Sequence, residues 1–237
     1  MRSSAGRAVR AVAAVSVLVV AAGCAGSDDG GDSDFAHQSG DKIADLAKAD
    51  MKSLDEVRYA GEITSGSQDV TLDLKAKSSG DCTGSIGIGD GTAQVRSKDG
   101  TSWFKPDEAF WRANAGDSAD AIIQAVGDKW VLDTDANFSK FCDLDSLFDA
   151  LFTEDSGAGA YKTTGTGEVD GQKVVKVEQT GDVGTATGYV LVSGKHYLVK
   201  LERNKGDQPG HLEFTDFNKD FDVAVPAKDE VIDLSSA

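Results

Sequence analysis

Residues 57–76 read VRYAGEITSGSQDVTLDLKA, two runs of alternating apolar and polar residues joined by a Ser-Gly-Ser turn. The apolar positions are Val57, Tyr59, Gly61 and Ile63 in the first run and Val70, Leu72, Leu74 and Ala76 in the second. A period of two places these side chains on one face of a strand and the polar ones on the other. We therefore predict two antiparallel strands with one face in water and one face buried.

The same pattern continues along the chain. Further strands are predicted near residues 82–88, 92–97, 101–105, 161–169, 173–180, 185–192, 197–204 and 210–217. Turns such as Asp99-Gly100 and Asp170-Gly171 separate them, and residues 231–234 are a candidate for a last edge strand. About ten strands are near the limit of a twisted open sheet, so we predict an antiparallel sheet that curls.

Helical periodicity appears at the start and in the middle of the chain. Residues 41–54 carry apolar side chains on one face, with Ser39 placed as the N-cap. Residues 107–114 and 118–126 read as short helices, and the second has Gly127 as its stop. A third helix carries a clean apolar stripe at Leu144, Leu147, Phe148, Leu151 and Phe152. The predicted fold class is α+β, with these helices packed on the concave face of the sheet.

The N-terminus has the three parts of a bacterial secretory signal. Three arginines precede an apolar run over residues 11–23, which is shorter than the roughly 20 residues of a membrane-spanning helix. The run ends in Ala-Ala-Gly-Cys24, which resembles the lipobox of bacterial lipoproteins. We predict that residues 1–23 are a signal peptide and that Cys24 carries a diacylglycerol with acyl chains such as palmitate. The alternative is an ordinary cleaved signal with a cysteine near its end.

Residues 24–40 are rich in Gly, Ser and Asp, and we predict a flexible tether of roughly 20 Å before a single domain over residues 41–237. The sequence has 24 Lys and Arg against 40 Asp and Glu, a net charge of −16. Loss of three arginines with the signal leaves 21 basic residues against 40 acidic ones, or −19. Such a surface repels nucleic acid and anionic membranes, so the lipid alone would hold the protein on the extracytoplasmic face of the cell membrane.

Two cysteines remain beyond the anchor, Cys82 and Cys142. Outside the cytoplasm an even pair usually forms a disulfide, which we predict here, and two free buried thiols are the alternative. The three histidines are scattered, and no C-x-x-C or H-x-x-x-H spacing is present, so no metal site is predicted.

Motifs for catalysis are also missing from the sequence. Residues 133–139 begin like a calcium loop, but Phe138 stands where the loop needs glycine, so a capped helix start is favoured. No G-x-S-x-G motif occurs, and no serine and histidine close in sequence have an acidic partner. We expect no enzymatic activity and no cofactor, since a hydrolase would need a polar cluster that the sequence does not show.

Aromatic residues concentrate in the middle of the chain, where all three tryptophans occur. Most of these residues are expected to fill the core between sheet and helices. A curled sheet, however, is wider than two or three short helices, and the surplus is predicted to be an apolar ligand cavity. The candidate cavity residues are Trp103, Phe104, Phe110, Trp111, Trp130, Leu147, Phe148, Leu151 and Phe152.

Four stretches carry a resemblance to a known family: LDEVRYAG at residues 54–61, GTSWFKP at 100–106, VDGQKVV at 169–175 and HYLVKL at 196–201. They are similar to the LppX/LprG group of actinobacterial lipoproteins, over nearly all of the mature chain. The resemblance implies a LolA/LolB-like half-barrel with a hydrophobic cavity, and the transport of lipids or lipoglycans across the envelope. It implies no catalytic residue, and Cys82 and Cys142 are not part of its pattern.

These observations predict a lipid-anchored extracytoplasmic lipoprotein that binds or carries lipid or acylated molecules in a hydrophobic cavity. The alternative is a structural or regulatory envelope lipoprotein with a solid core that acts through a protein partner. The volume of the interior distinguishes the two.

Overall fold

The structure is a computed structural model that describes residues 34–65, 68–152, 159–181, 184–205 and 209–236. The predicted signal peptide, Cys24 and the tether residues 25–33 lie outside these residues. Within the described ranges, no helix is both long enough and apolar enough to cross a bilayer.

The alternating runs form twelve strands of one sheet. In chain order they are β1 Glu56–Ser65, β2 Gln68–Lys77, β3 Cys82–Ile88, β4 Gly91–Lys98, β5 Thr101–Pro106, β6 Trp130–Leu132, β7 Lys162–Val169, β8 Gln172–Gly181, β9 Gly184–Leu191, β10 Leu198–Lys205, β11 Gly210–Thr215 and β12 Val231–Ile232. Their order across the sheet is β12-β6-β5-β4-β3-β2-β1-β11-β10-β9-β8-β7. Only β12 and β6 pair in parallel, so the sheet is mixed, curled and unclosed.

The ten strands predicted from alternation are confirmed, and two short strands join them: β6, where residues 129–131 were expected to touch the sheet, and β12, at the candidate edge strand. β6 has three residues and β12 has two, too few for a period of two to be recognised. β12 forms the edge strand for which residues 231–234 were the candidate. The Asp99-Gly100 and Asp170-Gly171 turns have positive φ at both residues, as tight hairpins with a right-handed twist require.

Strand β1 joins the two halves of the sheet. It pairs with β2 on one side and with β11 on the other, so Tyr59 lies opposite both Leu74 and Phe214. All three side chains are buried. The polar neighbours Arg58 and Asp73 form a salt bridge at 2.8 Å on the opposite, solvent-facing side. The predicted alternation of a dry and a wet face is therefore present at the centre of the sheet.

Four α-helices follow the helical residues 34–36 in the described part of the chain. They are α1 Gly40–Lys52, α2 Glu108–Asn114, α3 Ala119–Val126 and α4 Leu144–Leu151. Side-chain oxygens of Ser39, Asp107 and Asp143 accept backbone N–H groups at the starts of α1, α2 and α4. Each satisfies a donor that the first turn of a helix leaves unpaired. Gly127 ends α3 with a φ of 56°, as its position in the sequence predicts.

The core lies between the concave face of the sheet and helices α1 and α4. Ile43, Ala47 and Met51 of α1 are fully buried and belong to one apolar cluster with Val175 and Phe148. Burial of each large side chain contributes about 1.5–3 kcal/mol, so this cluster is a main source of stability. The helices therefore cover the concave face, as predicted.

Packing also extends to residues before α1. Residues 34–36 are helical, and the side chain of Phe35 is 4% exposed. The packed part of the chain therefore reaches Phe35, earlier than the domain boundary that composition suggests at residue 40.

The predicted disulfide is present between Cys82 and Cys142, whose Cα atoms are 5.5 Å apart. Cys82 begins β3, and Cys142 ends a short 3₁₀ helix, Ser139–Cys142, directly before α4. The bond therefore attaches the start of α4 to the sheet.

Candidate functional site

A cavity of about 450 Å³ lies between α4 and the strands β1, β2, β10 and β11. Its lining is mostly apolar and comprises Tyr59, Ile63, Leu72, Phe141, Leu147, Ala150, Leu151, Leu201 and Leu212, with Thr64, Lys140, Ser146, Arg203, Gly210 and His211 as the remainder. Protein sites for small molecules measure roughly 300–1,000 Å³ and are mostly apolar. This cavity has the size and lining of such a site.

A mismatch in length explains why the sheet is not filled here. α4 has eight residues and so extends for about 12 Å. β1 has ten residues and extends for about 33 Å. A helix of this length covers only part of the strands beneath it, and the cavity lies between this helix and the strands.

The strand register aligns a row of residues across the concave face, and three of them, Leu72, Leu201 and Leu212, line the cavity. Val177, Gly188, Leu201, Leu212, Gly61 and Leu72 lie side by side across five neighbouring strand pairs, and we call them the inner row. Two of its six members are glycines, which contribute no side chain. A Cβ at Gly61 would lie 2.1 Å from the carbonyl oxygen of His211, so this close approach of β1 and β11 requires glycine.

Two residues further along each strand, a second row lies on the same face. It comprises Gln179, Ala186, Arg203, Gly210, Ile63 and Val70, and we call it the outer row. The side chains of Ala186 and Gly210 are again small. Arg203 is half-buried between them, so its long cationic side chain has space on the concave face.

Residues 139–151, which we call the cover segment, are held over the cavity by three kinds of contact. The disulfide joins Cys142 to Cys82, and the Tyr59 hydroxyl donates to the carbonyl oxygen of Phe141. Asp149 on α4 forms ion pairs with Lys52 at 2.6 Å and with Lys48 at 3.5 Å. The start of the segment is thus bonded to the sheet, and its helix contributes the buried Phe148 to the core, whereas its ion pairs with α1 lie at the surface.

The shifted pKa values of Tyr59 and Asp149 keep both groups in the protonation states that these contacts require. Burial raises the pKa of the Tyr59 phenol well above its ordinary value, so the hydroxyl stays protonated and donates. The hydrogen bond from Lys52 lowers the pKa of Asp149, which therefore stays ionised. Asp143 accepts the Ser146 amide at 3.0 Å and the Ser146 hydroxyl at 2.6 Å, so Asp143 caps α4.

Of the predicted cavity residues, Leu147 and Leu151 line this cavity. Phe148, on the other side of α4, is buried in the core and faces Phe214 with ring centroids 6.4 Å apart. Phe152 lines a smaller cavity of about 40 Å³, which shares Leu151 and Leu201 with the larger one. The two cavities are thus adjacent along β10.

The predicted aromatic residues lie outside the larger cavity and divide between the two faces of the sheet. Phe104 faces the concave side, where it stacks on Phe138 at 4.5 Å and lies 6.2 Å from Trp111. Phe110 joins this group at 5.9 Å from both Trp111 and Phe138. These four rings fill the space under α2, so this part of the concave face is solid.

Trp103 and Trp130 lie on the opposite face, since neighbouring side chains of a strand alternate. They are 8% and 6% exposed. The Arg96 guanidinium lies 4.2 Å from the centroid of the Trp130 ring and donates to the carbonyl oxygen of Ala224 at 3.0 Å. Arg96 therefore links the ring of Trp130 to the C-terminal segment, and neither tryptophan is among the residues that line the cavity.

Sequence reasoning missed most of the strand residues that line the cavity. Tyr59, Ile63, Leu72, Leu201 and Leu212 all occupy dry positions of predicted strands, but alternation alone does not separate core from cavity. Arg203 had a detectable signal, because it follows Leu201 by two residues and so shares its face.

Groups that a metal or acid–base site would need are not gathered here. The described residues contain no cluster of three or more His, Cys, Asp or Glu side chains that could hold a metal ion. The Asp133 carboxylate, at the start of the calcium-like stretch, accepts the N–H groups of Asn137, Phe138 and Ser139, each at 3.0 Å. It therefore orders the loop that places Phe138 against Phe104.

The chain resembles several solved structures. LprF from Mycobacterium bovis aligns with a TM-score of 0.57 and 13% identity, over 79% of this chain and 97% of that one. The Mycobacterium tuberculosis lipoprotein LppX aligns with a TM-score of 0.44 and 14% identity, over 84% of this chain and all of that one. Comparisons with protein families and with curated proteins find no match. The likeness to LprF shows a shared fold, and the half-barrel that the sequence resemblance implies is confirmed.

Proposed function

We propose that this protein is a lipid-anchored extracytoplasmic lipoprotein that binds or carries lipid or acylated molecules in the cavity beneath α4. The observation that carries the proposal is the apolar cavity of about 450 Å³ between the cover segment and the inner row. A shared fold with LprF is consistent with it but does not identify a ligand.

Apolar burial supplies the driving force for binding. Each methylene group moved out of water contributes about 0.8 kcal/mol, so ten buried methylenes of one acyl chain contribute about 8 kcal/mol. Tyr59, Leu147 and Leu201 surround the space that such a chain would enter. Since binding and release involve no covalent step, the proposed function requires no catalytic group.

The cover segment provides a route for entry. α4 has disulfide and hydrogen-bond attachments at its start, whereas its contact with α1 through Asp149 is exposed to solvent. Exposed ion pairs contribute about 0.2–1 kcal/mol, so they cost little to break. We propose that the helix moves about its attached N-terminal end to admit an acyl chain.

The proposal is tested by native mass spectrometry of the purified protein after delipidation and exposure to a membrane extract. Retained lipid is the expected result. Ala150 is an exposed residue of α4 that lines the cavity, so Ala150→Trp should fill the space and reduce lipid retention. The matched control is Ala125→Trp, at an exposed position of α3 outside the cavity, and it should retain lipid as the wild type does.

Repeated recovery of empty wild-type protein would overturn the proposal. It would favour the alternative, an envelope lipoprotein that acts through a protein partner. Equal lipid retention by Ala150→Trp and Ala125→Trp would show that lipid binds somewhere other than this cavity.

A further inference from the structure

Arg203 has no charged partner among the described residues, although the protein is strongly acidic. The other three described arginines are engaged: Arg58 pairs with Asp73, Arg112 pairs with Asp120, and Arg96 contacts Trp130 and the Ala224 carbonyl. Arg203 is half-buried and lines an apolar cavity instead. A guanidinium presents five donors in a planar fork that matches phosphate or carboxylate oxygens.

A second cation lines the same cavity from the opposite side. Lys140, in the cover segment, forms no ion pair within the described part of the chain, and its ammonium lies 5.4 Å from the centroid of the Phe141 ring. Lys140 and Arg203 thus reach the cavity from the cover segment and from the sheet, respectively. His211 belongs to the opposite face of β11, because its neighbours Gly210 and Leu212 occupy the concave rows.

An unsatisfied hydrogen-bond donor lies in the outer row, two strands away from Arg203. The side-chain Nε2 of Gln179 is buried and has no hydrogen-bond partner in the described residues, and Gln179 lines the smaller, adjacent cavity. Gln179 and Arg203 both register with Ala186 of β9, so they are two strand spacings apart, or roughly 10 Å. A buried amide without a partner destabilises the protein, and a ligand oxygen that accepts from it would relieve this cost.

The inner and outer rows thus differ in the polarity of their side chains. The inner row presents only Val, Gly and Leu side chains, and the outer row carries Arg203 and Gln179. Resting on the proposed lipid-binding function, we infer that the ligand is an acylated amphiphile with an anionic phosphate head group. Its chains lie on the inner row beneath α4, Arg203 and Lys140 bind the phosphate, and Gln179 donates to an oxygen near the head group.

The overall charge of the protein opposes this preference. With a net charge of −16, the surface as a whole repels anions. A local preference for an anionic head group must therefore come from the two cations in the cavity and not from the net charge of the protein. A comparison of the binding of an anionic lipid and of a zwitterionic lipid tests this directly.

The experiment offers the delipidated protein vesicles that contain equal amounts of phosphatidylglycerol and phosphatidylcholine with identical acyl chains. Native mass spectrometry then measures the ratio of the two lipids bound. We expect the wild type to favour phosphatidylglycerol by about tenfold, and Arg203→Gln to reduce this preference to near one. Lys140→Gln should reduce it in part. Arg112→Gln and Lys129→Gln remove the same charges at exposed positions outside the cavity and should keep the wild-type ratio.

The outcomes separate the head-group inference from the proposed function. If no lipid binds, lipid binding itself is wrong. If both lipids bind equally well to the wild type, lipid binding holds and the preference for a head group of net negative charge is wrong. A preference that survives both Arg203→Gln and Lys140→Gln would overturn the assignment of these residues.

A further arm distinguishes a lipid head group from free phosphate. Inorganic phosphate, added at the same concentration as phosphatidylglycerol, should not displace the lipid, because it lacks the acyl chains that supply most of the binding energy. Displacement by inorganic phosphate would show that the site binds the free anion, and the inference of an amphiphile would be wrong. Unfolding midpoints of the variants check that Arg203→Gln and Lys140→Gln remain folded.

Discussion

The ring of Phe35 lies flat against the imidazole of His196, with centroids 3.7 Å apart and an interplanar angle of 4°. His196 is held in turn, because its amide donates to Asp50 at 2.7 Å and its Nδ1 lies 3.0 Å from the Leu191 carbonyl oxygen. His196 precedes β10, whereas Arg203 lies near the other end of that strand, about 17 Å from its first residue, Leu198. The N-terminal segment therefore joins the domain far from the outer row.

Replacement of Phe35 tests how strongly this segment is attached. Phe35→Ala should lower the free energy of unfolding by about 3 kcal/mol, because it leaves a cavity and removes a stacked ring pair. Urea unfolding followed by tryptophan fluorescence measures the change. His37→Ala, at an exposed neighbouring position, is the control and should change stability by less than about 0.5 kcal/mol. Equal effects of the two substitutions would show that residues 34–37 do not pack on the domain in solution.

Much of the fold was predictable from local pattern. The alternation at Val57 and Tyr59, the Asp-Gly turns and the apolar stripe of α4 each specify an element through properties of a few neighbouring residues. The bounds of β6 and β12 were not predictable, because two or three residues carry no period, and β12 gains its place by pairing with Trp130 and Val131.

The site was harder to predict, because it depends on register and not on local pattern. Phe104 and Trp103 are neighbouring aromatic residues that the sequence does not distinguish. Alternation along β5 places Phe104 on the concave face and Trp103 on the opposite face. The aromatic side chains on the concave face pack with Phe138 and fill the space under α2, outside the cavity. The cavity forms instead where Leu201 of β10 lies beside Leu212 of β11, near Leu72 of β2, a relationship between strands that are distant in sequence.

The hydrogen bond between Tyr59 and the cover segment should be measurable by removal of one atom. Tyr59→Phe keeps the buried ring but leaves the Phe141 carbonyl without its donor, which should cost about 1–2 kcal/mol of stability. It should also speed lipid exchange, because the start of the segment loses an attachment. Chemical unfolding and stopped-flow lipid transfer measure the two effects.

Tyr197→Phe provides the matched control for this substitution. Its hydroxyl accepts only a long contact of 3.4 Å from Asn218, so its loss should change neither quantity measurably. A Tyr59→Phe protein that unfolds and exchanges lipid like the Tyr197→Phe control would show that the phenol does not hold the cover segment.

Protonation of Asp81 should lower the free energy of unfolding at acidic pH. The hydrogen bond from Lys98, at 2.8 Å, and that from the Asp99 amide, at 3.0 Å, outweigh partial burial and hold the pKa of Asp81 below its usual range. A carboxylate whose pKa is lower in the folded state stabilises fully above its unfolded pKa of about 4, and this contribution is lost as the pH falls through the folded value. Asp81→Asn should therefore cost about 2 kcal/mol near pH 7 and less below pH 4.

Urea unfolding of the wild type and Asp81→Asn at several pH values between 3 and 7 measures this dependence. Asp90→Asn removes the same charge at an exposed turn, and its effect should stay within about 0.5 kcal/mol. A difference between the wild type and Asp81→Asn that stays constant down to pH 3 would show that ionisation of Asp81 is not the cause.

The disulfide should control both stability and the position of the cover segment. Cys82 and Cys142 are 60 residues apart, so their bond should stabilise the folded state by about 4 kcal/mol in the chain-entropy description. Cys82→Ala/Cys142→Ala should lose this amount and, because Cys142 directly precedes α4, should release bound lipid faster. Urea unfolding and lipid-transfer rates measure the two changes, with and without dithiothreitol. The reductant should act on the wild type and leave the double variant unchanged. If the double variant lost stability but kept the wild-type transfer rate, the bond would stabilise the domain without holding α4 over the cavity.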